Sequence, residues 1–166
     1  MAILKILHFP DSRLYTKAKQ VKQIDSKIQN VITDMFETMY AAPGIGLAAT
    51  QVNIHQQIVV IDVSENKNQP ICLINPNITS ADGQQSTEEG CLSVPDIFEQ
   101  VKRAENITVQ AINKDGEQIV LTTDGILSVC IQHEIDHLNG KLFVDRLSSL
   151  KRQRIKQKLI KQQRNK

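Results

Sequence analysis

The residues that read most directly as chemistry are His133-Glu134-Ile135-Asp136-His137. Side chains four apart share one face of a helix, so His133 and His137 can each turn a ring nitrogen toward one metal ion. Glu134 lies about 100° around the helix from His133, where it can reach a water on the metal without being a ligand. Ile135 points roughly the opposite way and is expected in the core. The other reading is a helix with two unrelated histidines. Two of the chain's four histidines fall in this one pattern, which favours the metal. A hydrolytic metal site needs a third protein ligand and an open position for water. After His137 the chain offers Asp145 but no His or Glu. Upstream, Cys91 sits in Glu89-Gly90-Cys91-Leu92-Ser93. A thiolate suits a borderline or soft metal, and Gly90 permits close backbone approach. A single cysteine is more often a small buried hydrophobe, the reading given to Cys72 in its apolar strand.

Regular elements must bring these groups together. From about Asp25 to Ala41, Ile28, Val31, Ile32, Met35, Phe36 and Met39 recur at spacings of three and four, an amphipathic helix. Pro43 and Gly44 break it before Gly44-Ile45-Gly46-Leu47. Gln57–Val63, Ile71–Asn75, Ile107–Asn113 and Gln118–Thr122 are rich in Ile and Val and read as strands. Lys114-Asp115-Gly116-Glu117 predicts a hairpin turn between the last two. Asp124 is placed to cap a helix running to about Asn139, stopped by Gly140. Ser148 is placed to cap a final helix. Strands grouped in the middle with helices before and after predict an α+β fold with a largely antiparallel sheet.

At 166 residues and 18.7 kDa the chain fits one domain with a hydrophobic core. Trp is absent and aromatics are 4%, which argues against an aromatic platform for nucleic acid or sugar. Three cysteines argue against a disulfide framework and for a reducing compartment. No segment has the length of a signal peptide's apolar run or a membrane span, so a cytoplasmic protein with no membrane contact, by default a monomer, is expected. Residues 151–166 hold eight of the 20 Lys and Arg and no acid, leaving 12 basic against 18 acidic residues in the rest. Such a tail suits a polyanionic partner.

Three segments occur in one order: Gly44-Ile45-Gly46-Leu47-Ala48-Ala49-Thr50-Gln51, Glu89-Gly90-Cys91-Leu92-Ser93 and Gln132-His133-Glu134-Ile135-Asp136-His137-Leu138. Together they resemble the signature motifs of the peptide deformylases, and the resemblance covers nearly the whole chain, its length and its basic tail included. It implies antiparallel β-sheets packed around a central metal-binding helix, with an N-terminal helix and a basic C-terminal one. It also implies a catalytic domain over residues 1–147 and a helical extension over 148–166. Cys91, His133 and His137 then match the metal ligands, and Glu134 the general acid and base. Gln51 and the Leu92 backbone N–H match the groups that hold the formyl oxygen. Gly46 lies in the loop lining the peptide site, and Gly90 is grouped with it among the substrate-binding residues. Ile126, Val129 and Cys130 lie on the His133 side of their helix; with Ile45 they are expected to form the methionine pocket, although Ile126 and Val129 are also readable as ordinary core.

The family usually holds Fe2+ in cells, works with Ni2+ or Co2+, and binds Zn2+ to poorer effect. Its substrate is the N-formylmethionyl end of a nascent chain, and related enzymes dock on the ribosome through a basic C-terminal helix. One position departs: many bacterial members carry Arg about seven residues after the ligand Cys, where this chain has Phe98. Arg103 is expected to pair with Glu89 or Asp136. The competing readings are a zinc metallopeptidase, which leaves the first two motifs unexplained, a metal-stabilised RNA-binding module, which leaves Glu134 without purpose, and an inactive relative, which the intact motifs disfavour.

Overall fold

A computed structural model describes residues 2–164. Four apolar residues in a row, with no polar one between, mark a strand covered on both faces. This is β2 (Ile58–Ile61), whose side chains are all fully buried. It pairs antiparallel with β1 (Gly46–Ala48) and β3 (Ile71–Asp82). β3 continues antiparallel to β6 (Asn106–Ile112), and β6 to β7 (Gln118–Thr123), giving one sheet in the order β1-β2-β3-β6-β7. Alternate residues of β2 serve opposite faces. Ile58 and Val60 join a cluster with Ile28, Ile32, Met35 and Met39 of helix α1 (Ser26–Ala41). Val59 and Ile61 join another with Cys130, Ile131 and Leu138 of helix α2 (Gly125–Leu138).

On the other side of α2 lies a separate hairpin, β4 (Gln85–Cys91) and β5 (Val94–Arg103). Polar bonds tie it to the helix. Gln132 accepts from the Ala104 N–H at 3.1 Å and donates to the Ala104 carbonyl at 2.8 Å, and Arg103 reaches Asp136. A third cluster unites Val94, Ile97 and Val101 of β5 with Leu7, Phe9 and Phe143. It also includes Ile155 and Leu159 of helix α3 (Ser149–Arg164). The chain thus has the expected architecture, with antiparallel sheets on either side of the helix that carries both histidines.

Several local expectations need adjustment. β2 is shorter than Gln57–Val63, and β3 runs on past Asn75 to Asp82. The β4–β5 hairpin is marked by no apolar run, because its outward positions apart from Phe98 are polar and charged. Asp25 caps α1 by accepting from the Ile28 N–H at 3.0 Å, and Ser148 accepts from the Lys151 N–H at 3.2 Å. Asp124 occupies the position before α2, but its side chain makes no capping bond. Gly140 follows α2 at φ +75°, the left-handed stop expected of glycine. Ile135 is half-buried against the sheet cluster rather than fully in the core.

Candidate metal centre and active-site cavity

Helix geometry puts His133 and His137 one turn apart on the side of α2 that faces the hairpin, with ring centroids 5.0 Å apart. β4 delivers Cys91 to the same point. One donor atom each from Cys91, His133 and His137 lies within 4.8 Å of the others, and His137 Nε2 is 3.3 Å from Cys91 Sγ. Both histidines are buried and Cys91 is half-buried.

A carboxylate orients the first ring. His133 Nδ1 and Glu89 Oε1 are 2.9 Å apart, so a proton on Nδ1 is donated to Glu89 and the Nε2 lone pair is left for a cation. Hydrogen-bonding a ligand's second nitrogen in this way fixes its tautomer and direction. Arg103, 3% exposed, donates to Glu89 Oε1 at 2.9 Å and to Asp136 Oδ2 at 2.9 Å, and its Nε also bonds Glu89. The pairing expected of Arg103 is therefore made with both carboxylates. Burial pushes Glu89 up, but His133 and Arg103 outweigh it and hold the carboxyl below its ordinary range.

The charges suit an ion. Burial disfavours a proton on His133, yet the charge of Glu134 and the hydrogen bonds of Cys91 and Glu89 hold its pKa well above the usual value. His137 is pushed well below, by burial first and then by the positive charge of His133 and Arg103. The anionic groups thus call for positive charge at the point where a sulfur and two ring nitrogens converge, and a divalent cation fits that donor set.

Glu134 stands beside the cluster. Burial raises its carboxyl to about 7, and its Oε1 has no hydrogen-bond partner among the described residues. Gly46 of β1 presses on the other oxygen, since a Cβ there would lie 2.5 Å from Glu134 Oε2 and 2.8 Å from Cys130 Sγ. Gln51 is 1% exposed and held at both ends. Its Oε1 accepts from the Ala48 N–H at 2.9 Å, and its Nε2 donates to Ser93 Oγ at 3.0 Å and approaches Cys91 Sγ at 3.4 Å. Its amide hydrogens are thereby aimed at the cluster.

A cavity of about 1040 Å3 opens onto these groups. Gly46, Gln51, Cys91, Leu92, His133 and Glu134 line it, and so do Ile45, Gly90, Ile126, Val129 and Cys130. Every expected site residue but His137 is on its wall, and His137 is fully buried behind Cys91. Val129 and Cys130 are buried at 7% and 5%, while Ile45 and Ile126 are exposed at the mouth. The reading of Ile126 as core therefore does not hold.

Two contributors escape a reading of the sequence, Ser93 behind Gln51 and Glu89 as the partner of His133. Both lie two residues from Cys91, Glu89 on the same strand and Ser93 in the turn that follows, where its N–H approaches Cys91 Sγ at 3.4 Å; that proximity in sequence is the one available signal.

The sequence profile described as polypeptide deformylase matches residues 3–153. The chain is similar to the peptide deformylase of Teredinibacter turnerae, 60% identical over 163 residues that cover 98% of this chain and 97% of the relative. It is also similar to that of Neisseria meningitidis serogroup C, 54% identical over 99% of both chains. Among solved structures, a peptide deformylase from Legionella pneumophila superposes with a TM-score of 0.93 at 49% identity, covering 98% of this chain and 96% of that one. The peptide deformylase from Ehrlichia chaffeensis in complex with actinonin gives 0.95 at 40% identity, covering 99% of each.

Proposed function

The chain belongs to the polypeptide deformylase family, and we propose that it hydrolyses the N-formyl group from the N-terminal formylmethionine of nascent polypeptides, releasing formate. The observation that carries this is the convergence of Cys91, His133 and His137 at one point of a cavity, beside a buried carboxylate with one unpartnered oxygen. The peptidase reading has no such support, for the relatives that match over nearly the whole chain are deformylases.

Cys91, His133 and His137 would hold one divalent cation, which when bound supplies Lewis acidity toward the formyl oxygen and a water acidic enough to attack near neutral pH. The chain's own groups do the rest. The Gln51 amide and the Leu92 N–H donate to the formyl oxygen as it gains negative charge, and one such donor is typically worth about 3–4 kcal/mol. Glu134 accepts a proton from the attacking water on its free oxygen and passes it to the departing amide nitrogen. Burial disfavours the charged form of Glu134 and so favours its taking up a proton. Ile45, Ile126, Val129 and Cys130 enclose the methionine side chain, and Gly46 and Gly90 line the cavity that receives the peptide. The ion is Fe2+ in the cell, with Ni2+, Co2+ or Zn2+ as substitutes; the sulfur and nitrogen donors accept all four, and the family resemblance favours iron.

Residues 1–147 carry the chemistry and 148–166 form an extension in this reading. Ile155 and Leu159 turn α3 onto the body, while Arg154, Lys156, Lys158, Lys161 and Arg164 are exposed. That arrangement supports a contact with ribosomal RNA close to emerging chains. No described helix is long and apolar enough to cross a membrane, and the enzyme works in the cytoplasm as a monomer.

The test is formate release from formyl-Met-Ala-Ser by anaerobically purified enzyme. Glu134→Ala is expected to retain its metal and lose about 10²- to 10⁴-fold in rate. No release by wild-type protein loaded with Fe2+, Ni2+ or Co2+ would refute the reading.

A further inference from the structure

Among the described residues, four of the seven exposed large hydrophobic side chains, Ile3, Ile45, Phe98 and Ile126, line the cavity of the metal centre. Exposed hydrophobic residues scattered singly are ordinary, but a group on one concave surface marks a place where something apolar binds. Ile45 and Ile126 are accounted for by the methionine pocket. Phe98 is not.

Phe98 is 63% exposed although it lies on a strand between Ile97 and Val101, which are 8% and 3% exposed. Strand alternation explains the contrast. Ile97 faces the core cluster, so Phe98 faces the opposite side, which is the cavity. The ring is seated there against Gly90: a Cβ at Gly90 would lie 2.5 Å from Phe98 Cε1 and 2.7 Å from Cδ1. The bare backbone of Gly90 thus lets an aromatic face sit beside the residue preceding the ligand cysteine. At about 1040 Å3 the cavity is at the top of the range for small-molecule sites, which leaves room beyond a formyl-methionine. Among the described residues lining it, Lys5 is the one Lys or Arg, against Glu88, Glu89, Asp96 and Glu134.

Resting on the deformylase reading, we propose that Phe98 is a specificity-determining residue that favours formyl-methionyl peptides with an apolar side chain, aliphatic or aromatic, in the two positions after methionine. Such a side chain removes the exposed Phe98 ring from water as the peptide binds. An acidic side chain gains nothing from the ring and meets Glu88 and Asp96 on the same wall. The effect falls on binding, not on the chemical step, because Phe98 has no group that could hold the metal, the proton or the formyl oxygen.

The experiment measures kcat and KM for formyl-Met-X-Ser and formyl-Met-Ala-X, with X as Ala, Leu, Phe or Asp. Wild type is compared with Phe98→Ala, Phe98→Leu and Phe98→Arg, with melting temperature and metal content recorded for each. Wild type is expected to prefer Leu or Phe over Asp by about tenfold in at least one series, mostly through KM. Phe98→Ala should cut that ratio to about twofold or less, Phe98→Leu should keep most of it, and Phe98→Arg should reverse it toward Asp. An unchanged ratio in Phe98→Ala, with deformylation intact, would overturn the role of Phe98 alone. No formate from any peptide would overturn the deformylase reading and this inference with it.

Discussion

The two oxygens of Glu134 are in different situations. Oε1 has no partner among the described residues, whereas Oε2 is crowded by the backbone of Gly46. The glycine therefore holds the carboxylate at one angle by leaving room for it. Gly46→Ala puts a methyl carbon 2.5 Å from Oε2, and either Glu134 or β1 must shift. The expected result is a fall of about 10²-fold in kcat/KM, the typical cost of a misplaced catalytic group, with the metal retained. Normal activity in that variant would mean that the orientation of Glu134 is set elsewhere. The motif containing Gly46 was legible in the sequence. Its contact with Glu134 was not, since it joins residues 88 positions apart on different elements.

Between elements, buried ion pairs do the joining. Glu89 on β4, Arg103 at the end of β5 and Asp136 on α2 form one chain of bonds, which Arg146 extends at the surface. It locks the hairpin that carries Cys91 against the helix that carries the histidines. Arg103→Met leaves Glu89 and Asp136 without their central cation, at a cost of about 3–5 kcal/mol in stability and about 10- to 100-fold in metal affinity. Thermal melting and metal analysis check both, and an unchanged result in each would sink the idea. Asp62 makes a second junction, where β2 ends beside the C-terminus of α1. It accepts from Tyr40 at 2.6 Å, from the Ser64 side chain at 2.5 Å and from the Ser64 and Gln69 N–H groups at 3.0 and 3.3 Å. Burial pushes its carboxyl up, but these donors outweigh that and lower it overall. A depressed folded pKa means stability that is complete above the unfolded value of about 3.9 and is lost as pH falls through the folded one. Asp62→Asn should therefore melt well below wild type near pH 7, and the gap should close in acid below about pH 4. A gap of constant size across that range would contradict the assignment.

For the molecule as a whole, α3 presents two different faces. Ile155 and Leu159 are 6% and 3% exposed against the third core cluster, while most of the helix's cations face outward. Lys151 and Arg152 reach Glu99 and Asp145 near its start, contacts of small energy at an exposed surface. The two roles separate by mutation. Leu159→Ala should cost about 2–5 kcal/mol. Replacing Arg154, Lys156, Lys158 and Lys161 by Gln should leave melting almost unchanged but abolish salt-sensitive cosedimentation with ribosomes. Ribosome binding that survived those four replacements would refute the proposed contact.

The sequence by itself determined what recurs locally: the α1 stripe, the apolar run of β2, the histidines one helical turn apart and the basic final helix. Side-chain periodicity reports which face of an element is covered, so these are visible without neighbours. It also carried three motifs specific enough to indicate the family. Only the tertiary structure decided that Cys91 meets His137 across 46 residues and that Glu89 orients His133. The polar β4–β5 hairpin likewise forms because a buried arginine ties it to α2 and an apolar cluster holds it against Phe143 and α3. Pairings of that kind depend on the closure of long loops and the burial of charge, which no local pattern records. Phe98 belongs to the same class: the sequence shows an aromatic residue, and only strand alternation and the bare backbone of Gly90 turn it toward the cavity.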